Sequence, residues 1–458
     1  MAGVVAVGLL PAAGARADIG PSSDPLWFTQ VGSTMFLVAD DGVHGRELWK
    51  TDGTRAGTLM VKDINPDAGS NPGDLVAVGS TLFFSANDGT HGEELWKSDG
   101  THAGTVMVKD INVGSGSSAP RSLTAVGSTL FFLPSEGPDA HYQQLWKSDG
   151  TLAGTLLIQD IGRGSSTSYL DELTNVDGTL FFLSLAQYQG TELFTSDGTV
   201  DGAQMIKDFG EVFVGNLTNI QGTLFFGADD AADSHGNELW KSDGTAAGTF
   251  MVKDINPGPE SSLPFNMLAF GSGLLFRAND GVHGGELWKS DGTAAGTFMV
   301  KDINPGVRKD GKPRKSEPSQ LVRVGARVLF VAHKLGYGFE LWRTDGTAPG
   351  TWMVKDIRKD NGLKGSEIKY MTRLQGVGVV FQANDGVHGG ELWKSNGWPR
   401  GTALVEDILP GAATSYPKFI AAFGTQAVFD AYDEVHGDEP WVTEGTAAAT
   451  HLLKDINQ

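Results

Sequence analysis

Apolar residues along this chain come in runs of four to seven, and each run ends in turn chemistry such as Val-Gly-Ser, Asn-Asp-Gly or Ser-Asp-Gly. Runs of that length, rich in Phe, Val, Leu and Trp and punctuated by glycine, are the pattern of β-strands. No stretch repeats apolar positions at a 3.6-residue period over ten or more residues, so almost no helix is expected. Runs such as Leu82-Phe83-Phe84 are apolar at consecutive positions. A strand apolar on both faces is covered on both sides, so the sheets are expected to stack face to face.

The runs repeat. "ELW" recurs at Glu47, Glu94, Glu238, Glu286, Glu340 and Glu391, with "QLW" at Gln144, "ELF" at Glu192 and "EPW" at Glu439, nine copies spaced 46 to 54 residues apart. The stretch "ELWKSDGTAAGTFMVKDINPG" is written identically from Glu238 to Gly258 and from Glu286 to Gly306. In the second copy the four apolar runs are Leu75–Val78, Thr81–Ala86, Glu94–Lys97 and Thr105–Ile111, labelled a to d. Four antiparallel strands in about 40 to 50 residues make one blade of a β-propeller. The predicted fold is therefore all-β: a single nine-bladed propeller over residues 24–458, with about 48 residues per blade. Nine exceeds the usual count of about 4 to 8, which keeps an open array or two smaller rings as alternatives. A membrane β-barrel needs alternating strands of about 10 residues, longer than these.

Composition narrows the function. A net charge of -20 disfavours nucleic acid and anionic membrane surfaces as partners, and a neutral or cationic ligand fits better. With no cysteine, disulfides, thiolate metal sites and a cysteine nucleophile are excluded. The first residues contain a short apolar stretch followed by Ala15-Arg16-Ala17, an A-x-A pattern, so residues 1–17 read as a signal peptide and the protein as secreted or held at the outer cell surface. No later apolar run reaches the roughly 18 residues of a spanning helix. No P-loop, G-x-S-x-G or H-E-x-x-H is present, and nothing calls for a cofactor or a metal.

The recurring "ELWxSDGTxxGTxxVKDI" resembles the ELWxxDGT-repeat family of exported bacterial proteins, from about residue 27 to the end. That resemblance implies cell-surface or glycan roles, including β-1,6-glucan hydrolysis. It defines the repeat far better than it defines an activity.

Features shared by all blades are read as architecture. Eight of the eleven tryptophans are the landmark residues, and large aromatics of this kind form blade cores. The b-to-c connection Asn-Asp-Gly-x-His-Gly-x-Glu, with His44, His235 and His436 in close variants, reads as a hydrogen-bonded turn in preference to a metal site repeated six times. Blades 3, 4 and 7 break it, and one site on a ring needs broken symmetry. All seven tyrosines fall in b-to-c or d-to-a connections, which open on one face of the disc. Amphipathic rings there suit sugar faces. The candidate substrate contacts are Tyr142, Tyr169, Tyr188, Tyr337, Tyr370 and Tyr416, together with Trp27; Tyr432 shares the face.

Residues just before strand a are expected at the channel mouth: Asp74, Ser122, Glu172, Asn216, Asn266, Gln320 and Tyr370. Glycoside hydrolysis uses a carboxylic acid and a carboxylate roughly 5 to 9.5 Å apart, and Glu172, Glu211, Asp171 and Asp74 are the candidates for that pair. A basic run, Arg308, Lys309, Lys312, Arg314 and Lys315, stands out in the longest connection and reads first as a solvated loop and second as a holder of an anionic substrate group. The leading functional expectation is a monomeric, exported glycoside hydrolase acting on a neutral glucan. The alternatives are a multivalent lectin without catalysis and a surface adhesion or protein-binding module.

Overall fold

The computed structural model describes residues 21–135, 144–161, 168–186, 190–230, 234–359 and 364–458. It contains nine four-stranded antiparallel sheets, each built from four consecutive strands in the order a-b-c-d. In blade 2 these are Gly73–Val78, Thr81–Asn87, Glu93–Ser98 and Val106–Lys109. No α-helix occurs among the described residues, and the two helical turns, Pro399–Gly401 and Ala447–Ala449, are single 3-10 turns.

The strands labelled a are innermost. They run Leu26–Val31, Gly73–Val78, Pro120–Val126, Ser168–Val176, Val214–Ile220, Phe265–Phe270, Ser319–Val324, Lys369–Leu374 and Lys418–Phe423. Each contacts the strand a of the next blade, and the ninth contacts the first. The chain therefore forms one closed nine-bladed propeller around a central channel, and the open array and the paired rings are eliminated.

The core is divided into wedges between blades. Leu82 and Phe84 pack against Phe36, Val38 and Leu48 of blade 1, while Phe83, between them, packs against Leu123, Leu130 and Phe132 of blade 3. Consecutive apolar residues thus serve opposite interfaces, which is why the runs do not alternate. Trp96 belongs to the wedge with blade 1, and Lys62 of blade 1 lies over its ring at 5.7 Å. Six of the landmark tryptophans are buried, whereas Trp146 and Trp441 are half-buried.

The repeated letters are mostly contacts to the neighbour. Lys97, of "ELWK", donates to the Gly150 carbonyl of blade 3 at 2.7 Å, and Lys109, of "VKDI", donates to the Thr155 carbonyl at 2.8 Å. Within the c-to-d turn, the Asp99 carboxylate accepts from the Thr101 amide and hydroxyl, and Ser98 Oγ bonds Thr105 Oγ1 at 2.7 Å. Gly100 has φ +86° in this turn, a region open to glycine at little cost.

The glutamate of "ELW" is fully buried in blades 1, 2 and 5 to 9. Glu47, fully buried, accepts from the amides of Ile64 and Ser70 at 3.1 and 2.8 Å and from Ser70 Oγ at 2.6 Å. It fastens strand c to the connector that leads into the next blade. Glu94, Glu286 and Glu391 repeat the contact with Ser118, Ser316 and Ser415. Glu439 makes it with Ser23, at 2.7 Å to the hydroxyl, and Lys454 reaches the Thr58 carbonyl at 2.7 Å. The ninth blade therefore grips the first as blades 1, 2, 6 and 8 grip their successors.

Burial raises the pKa of these glutamates against the opposing hydrogen bonds, to about 7 for Glu238, Glu286, Glu340, Glu391 and Glu439 from an ordinary 4.5. A carboxyl whose folded pKa exceeds its unfolded value contributes stability that is complete below pH 4.5 and lost as pH rises through about 7. His44, His91, His235, His283 and His388 are also raised, chiefly by the hydrogen bonds they donate to their loop aspartates, and their contribution falls away as pH climbs above the ordinary histidine value. The melting temperature is therefore expected to be highest near pH 5 and to fall steadily toward pH 8. Glu286→Gln should flatten that slope, as measured by thermal melts across the range.

Candidate functional site

Strand a carries an extra residue in every blade. The register with strand b slips by one, for instance between Gly73 and Val76 or between Lys369 and Thr372. The bulged residues are Trp27, Asp74, Ser122, Glu172, Asn216, Asn266, Gln320, Tyr370 and Phe419, all with φ between 50° and 62°. None is glycine, although a left-handed non-glycine residue costs about 1–3 kcal/mol. Each such position is held by its neighbours, and its side chain is aimed by the bulge. The residues expected just before strand a thus lie within it, as a ring around the upper channel.

Four of the polar members reach the next blade. Asp74 accepts from the Ser122 amide at 3.0 Å, and Glu172 from the Asn216 and Leu217 amides at 3.0 and 2.7 Å. Asn266 donates to the Pro318 carbonyl, and Gln320 bonds the Met371 amide and the Ile368 carbonyl. The remaining arc is different. Three consecutive blades, 8, 9 and 1, place Tyr370, Phe419 and Trp27 there, exposed by 38, 39 and 47%. The rings of Tyr370 and Phe419 stand 5.7 Å apart and tilted. A cavity of about 590 Å³ lies along this arc, lined by Gln320, Lys369, Tyr370, Thr372 and Phe419 among others.

Tyr416, three residues before Phe419 and 49% exposed, extends the aromatic surface on blade 9, whereas Tyr169, three before Glu172, stands on blade 4 outside the arc. Phe213 and Phe265 are exposed on the same rim. Tyr337 sits on the b-to-c hairpin of blade 7, farther from the axis, with Lys334 over its ring. The two kinds of connection share one face: Asn71 donates to the Arg46 carbonyl and Ser118 to the Glu93 carbonyl. Tyr142, Tyr188 and the segment 1–17 lie outside the described residues.

Among the candidate carboxylates, burial raises the pKa of both Asp74 and Glu172, and the charge of Asp171 adds to the rise in Glu172. Glu172 commits both oxygens to backbone amides. Asp171 accepts from the Glu172 amide at 2.8 Å. Glu211 is exposed on the connector into blade 5 and is not part of the bulge ring. The repeated histidine loops are closed on themselves: His44 Nδ1 bonds Asp41 Oδ2 at 2.8 Å, and Asp41 Oδ1 accepts from the amides of Val43 and His44.

Sequence reasoning missed a charged cluster beneath the aromatic arc. Asp430, fully buried on strand b of blade 9, faces Lys418 on strand a, with Lys418 Nζ at 2.8 Å from Asp430 and 3.5 Å from Asp438. Asp24, paired with Arg46 at 3.3 Å, completes it across the seam to blade 1. Burial holds the Asp430 carboxyl well above the usual range, and burial together with the Asp438 charge raises Asp24. Burial alone would lower Lys418, but the three carboxylates outweigh it and its pKa is raised. The equivalent of Asp430 is Val38, Ser85 or Gln382 in blades 1, 2 and 8, so comparing the copies position by position would have exposed it. The same comparison would have placed Phe419 beside Tyr370.

No protein-family model matches this chain, and no curated protein matches it in sequence. Among solved structures it is similar to a prolyl endopeptidase, at 11% identity and a TM-score of 0.44 over 79% of this chain and 54% of that one. Oligopeptidase B from Trypanosoma brucei, in its closed form with covalently bound antipain, matches at 11% identity and a TM-score of 0.42, over 80% of this chain and 53% of that one. A puromycin-hydrolyzing peptidase of Mycobacterium tuberculosis matches at 10% identity and a TM-score of 0.39, over 78% and 58%. The chain spans between half and three-fifths of the length of these peptidases. Likeness at this level carries no argument about activity.

Proposed function

We propose that this protein is an exported, monomeric, glycan-active propeller that holds a neutral glucan across its channel mouth. The observation that carries the reading is the arc of exposed rings at Tyr370, Phe419 and Trp27, set on three adjacent blades and extended by Tyr416. Aromatic faces at fixed spacing suit the apolar faces of successive sugars, and the tyrosine hydroxyl stays available to water. The rings are held by a strained bulge repeated around the disc, so the platform is rigid before a ligand arrives. The resemblance of the repeat to exported glycan-linked proteins supports the same ligand class.

Hydrolysis is the first form of the proposal. Burial raises the pKa of Asp74 and Glu172 above the ordinary carboxyl value, the direction that general-acid work requires. A specific observation favours a second form, binding without cleavage: Glu172 spends both oxygens on the next blade. The two forms differ in products. New reducing ends from a neutral glucan, lost in Asp74→Asn or Glu172→Gln, would establish the hydrolase; saturable binding with no reducing ends would establish the lectin.

Two outcomes are expected. Removing Trp27, Tyr370 or Phe419 as alanine should weaken glucan binding by about tenfold each, in line with 0.5–1.5 kcal/mol per aromatic contact beyond area burial, measured by titration calorimetry. Glu172→Gln replaces one of two acceptors with a donor facing an amide, so it should lower stability by about 1–3 kcal/mol, read from denaturant unfolding. A variant of unchanged stability would show that Glu172 does not tie blade 4 to blade 5.

A further inference from the structure

We infer that a second ligand site lies between blades 6 and 7, and that it takes a small organic anion with an apolar body, such as an arylcarboxylate. The site combines the longest connection in the chain with one of the three broken hairpins. The connector from Asn304 to Gln320 supplies Arg308, Arg314 and Lys315, and the blade 7 hairpin "AHKLGYGFE" supplies His333, Leu335 and Phe339. Together they enclose a cavity of about 330 Å³, at the small end of ligand pockets, which begin near ~300 Å³.

The connector is exposed along most of its length, as its charge predicts, and it also has a defined fold. It folds back on itself, with Val307 bridged to Pro313 and the Arg308 amide on the Lys312 carbonyl at 2.8 Å. Arg314 Nη1 donates to the Pro305 carbonyl at 3.0 Å, which fixes the guanidinium. Asn304 joins the two walls: its amide nitrogen donates to the Lys315 carbonyl and to His333 Nδ1, and its oxygen accepts from the Leu335 amide, each at 3.0 Å. With Nδ1 accepting, the proton of His333 sits on Nε2. Burial lowers the pKa of this histidine, so the neutral ring is favoured.

Charge and apolar surface converge at this point. One carboxylate lines the cavity, Glu317, and it is already paired with both Arg277 and Lys315. Among the described residues Arg308 has a single ion-pair partner, the exposed Asp310, at 3.4 Å. Arg314 takes part in no ion pair among the described residues. The cavity is therefore positive in a protein of net charge -20, so the attraction for an anion is local and not a property of the whole surface. Leu335 and Phe339 remain exposed beside it, and the Phe339 ring packs edge-on against His333 at 5.1 Å. An inorganic anion would leave these two side chains unused, and a neutral apolar molecule would leave Arg314 unpaired. Only a ligand carrying both features uses the whole cavity.

The site is separate from the aromatic arc and does not depend on the glycan reading. Titration calorimetry of the full chain with 2-naphthoate, 2-naphthol and inorganic phosphate tests it. Saturable naphthoate binding is expected, with naphthol and phosphate each weaker by about tenfold or more, since one charge-assisted contact or one buried ring is missing in each. Arg314→Gln should weaken naphthoate about tenfold. Arg308→Gln and Phe339→Ala, at exposed positions that hold no blade together, should weaken it too while the melting temperature stays unchanged. No saturable naphthoate binding, phosphate binding as tight as naphthoate, or binding indifferent to all three substitutions would overturn the assignment.

Discussion

A carboxylate buried at the third strand of most blades is the interaction on which the ring depends. Glu47, Glu94, Glu286 and Glu391 each accept from the amide and hydroxyl of a serine that introduces the following blade. Buried polar groups are tolerable only when satisfied, so this carboxylate specifies its neighbour's position and not merely its presence. Apolar wedges supply the attraction between blades, but an apolar face can slide. The serine contact prevents sliding, because a shifted register would leave a carboxyl buried without donors.

That logic explains how a ring can close without its ends sharing a strand. Each sheet is made of four consecutive strands, including the first and the last. Closure therefore rests on one more interface of the common kind: Glu439 with Ser23, Lys454 with Thr58, and Ile456 packed in the wedge with Leu37 and Trp49. The seam is also where the repeat is weakest, since the outer strand of blade 9 pairs over only His451 and Leu452. Additional contacts gather there: Asn457 donates to the Ser22 carbonyl and the Asp438 amide to Ser22 Oγ, and Lys418 forms an ion pair with the buried Asp430. A buried ion pair of this sort contributes little net stability when intact and costs about 3–5 kcal/mol when one partner is lost. Its effect is to fix the seam's geometry.

Blade number, strand order and the shared face of the two connections were legible in the chain because the repeat is long, near-identical and punctuated by turn residues. Phe83 and Phe84 reveal two covered faces by standing side by side. The bulge was not legible, because an extra residue in strand a leaves no compositional mark: Ser122 and Trp27 occupy the same backbone state. Asp74 and Glu172 were located on the right ring, yet the amides they meet belong to the next blade, which no local reading supplies. The basic run is solvated, as its charge predicts, but its charge does not reveal the turn into which Asn304 and Pro305 hold it.

The aromatic arc and the seam coincide, and this has a thermodynamic consequence. Phe419 and Trp27 stand on the two blades that meet there, and Lys418, next to Phe419, carries the buried ion pair. A ligand lying across both rings contacts both sides of the one interface that is not also bridged by a chain connection. Whatever binds the closed ring and not an opened one stabilises closure by the same free energy. Elsewhere on the disc, adjacent blades are joined covalently, and a bound molecule could add little to their proximity. At the seam, a ligand held across Phe419 and Trp27 would couple its own binding to the integrity of the ring, because only there are the adjacent blades not joined covalently.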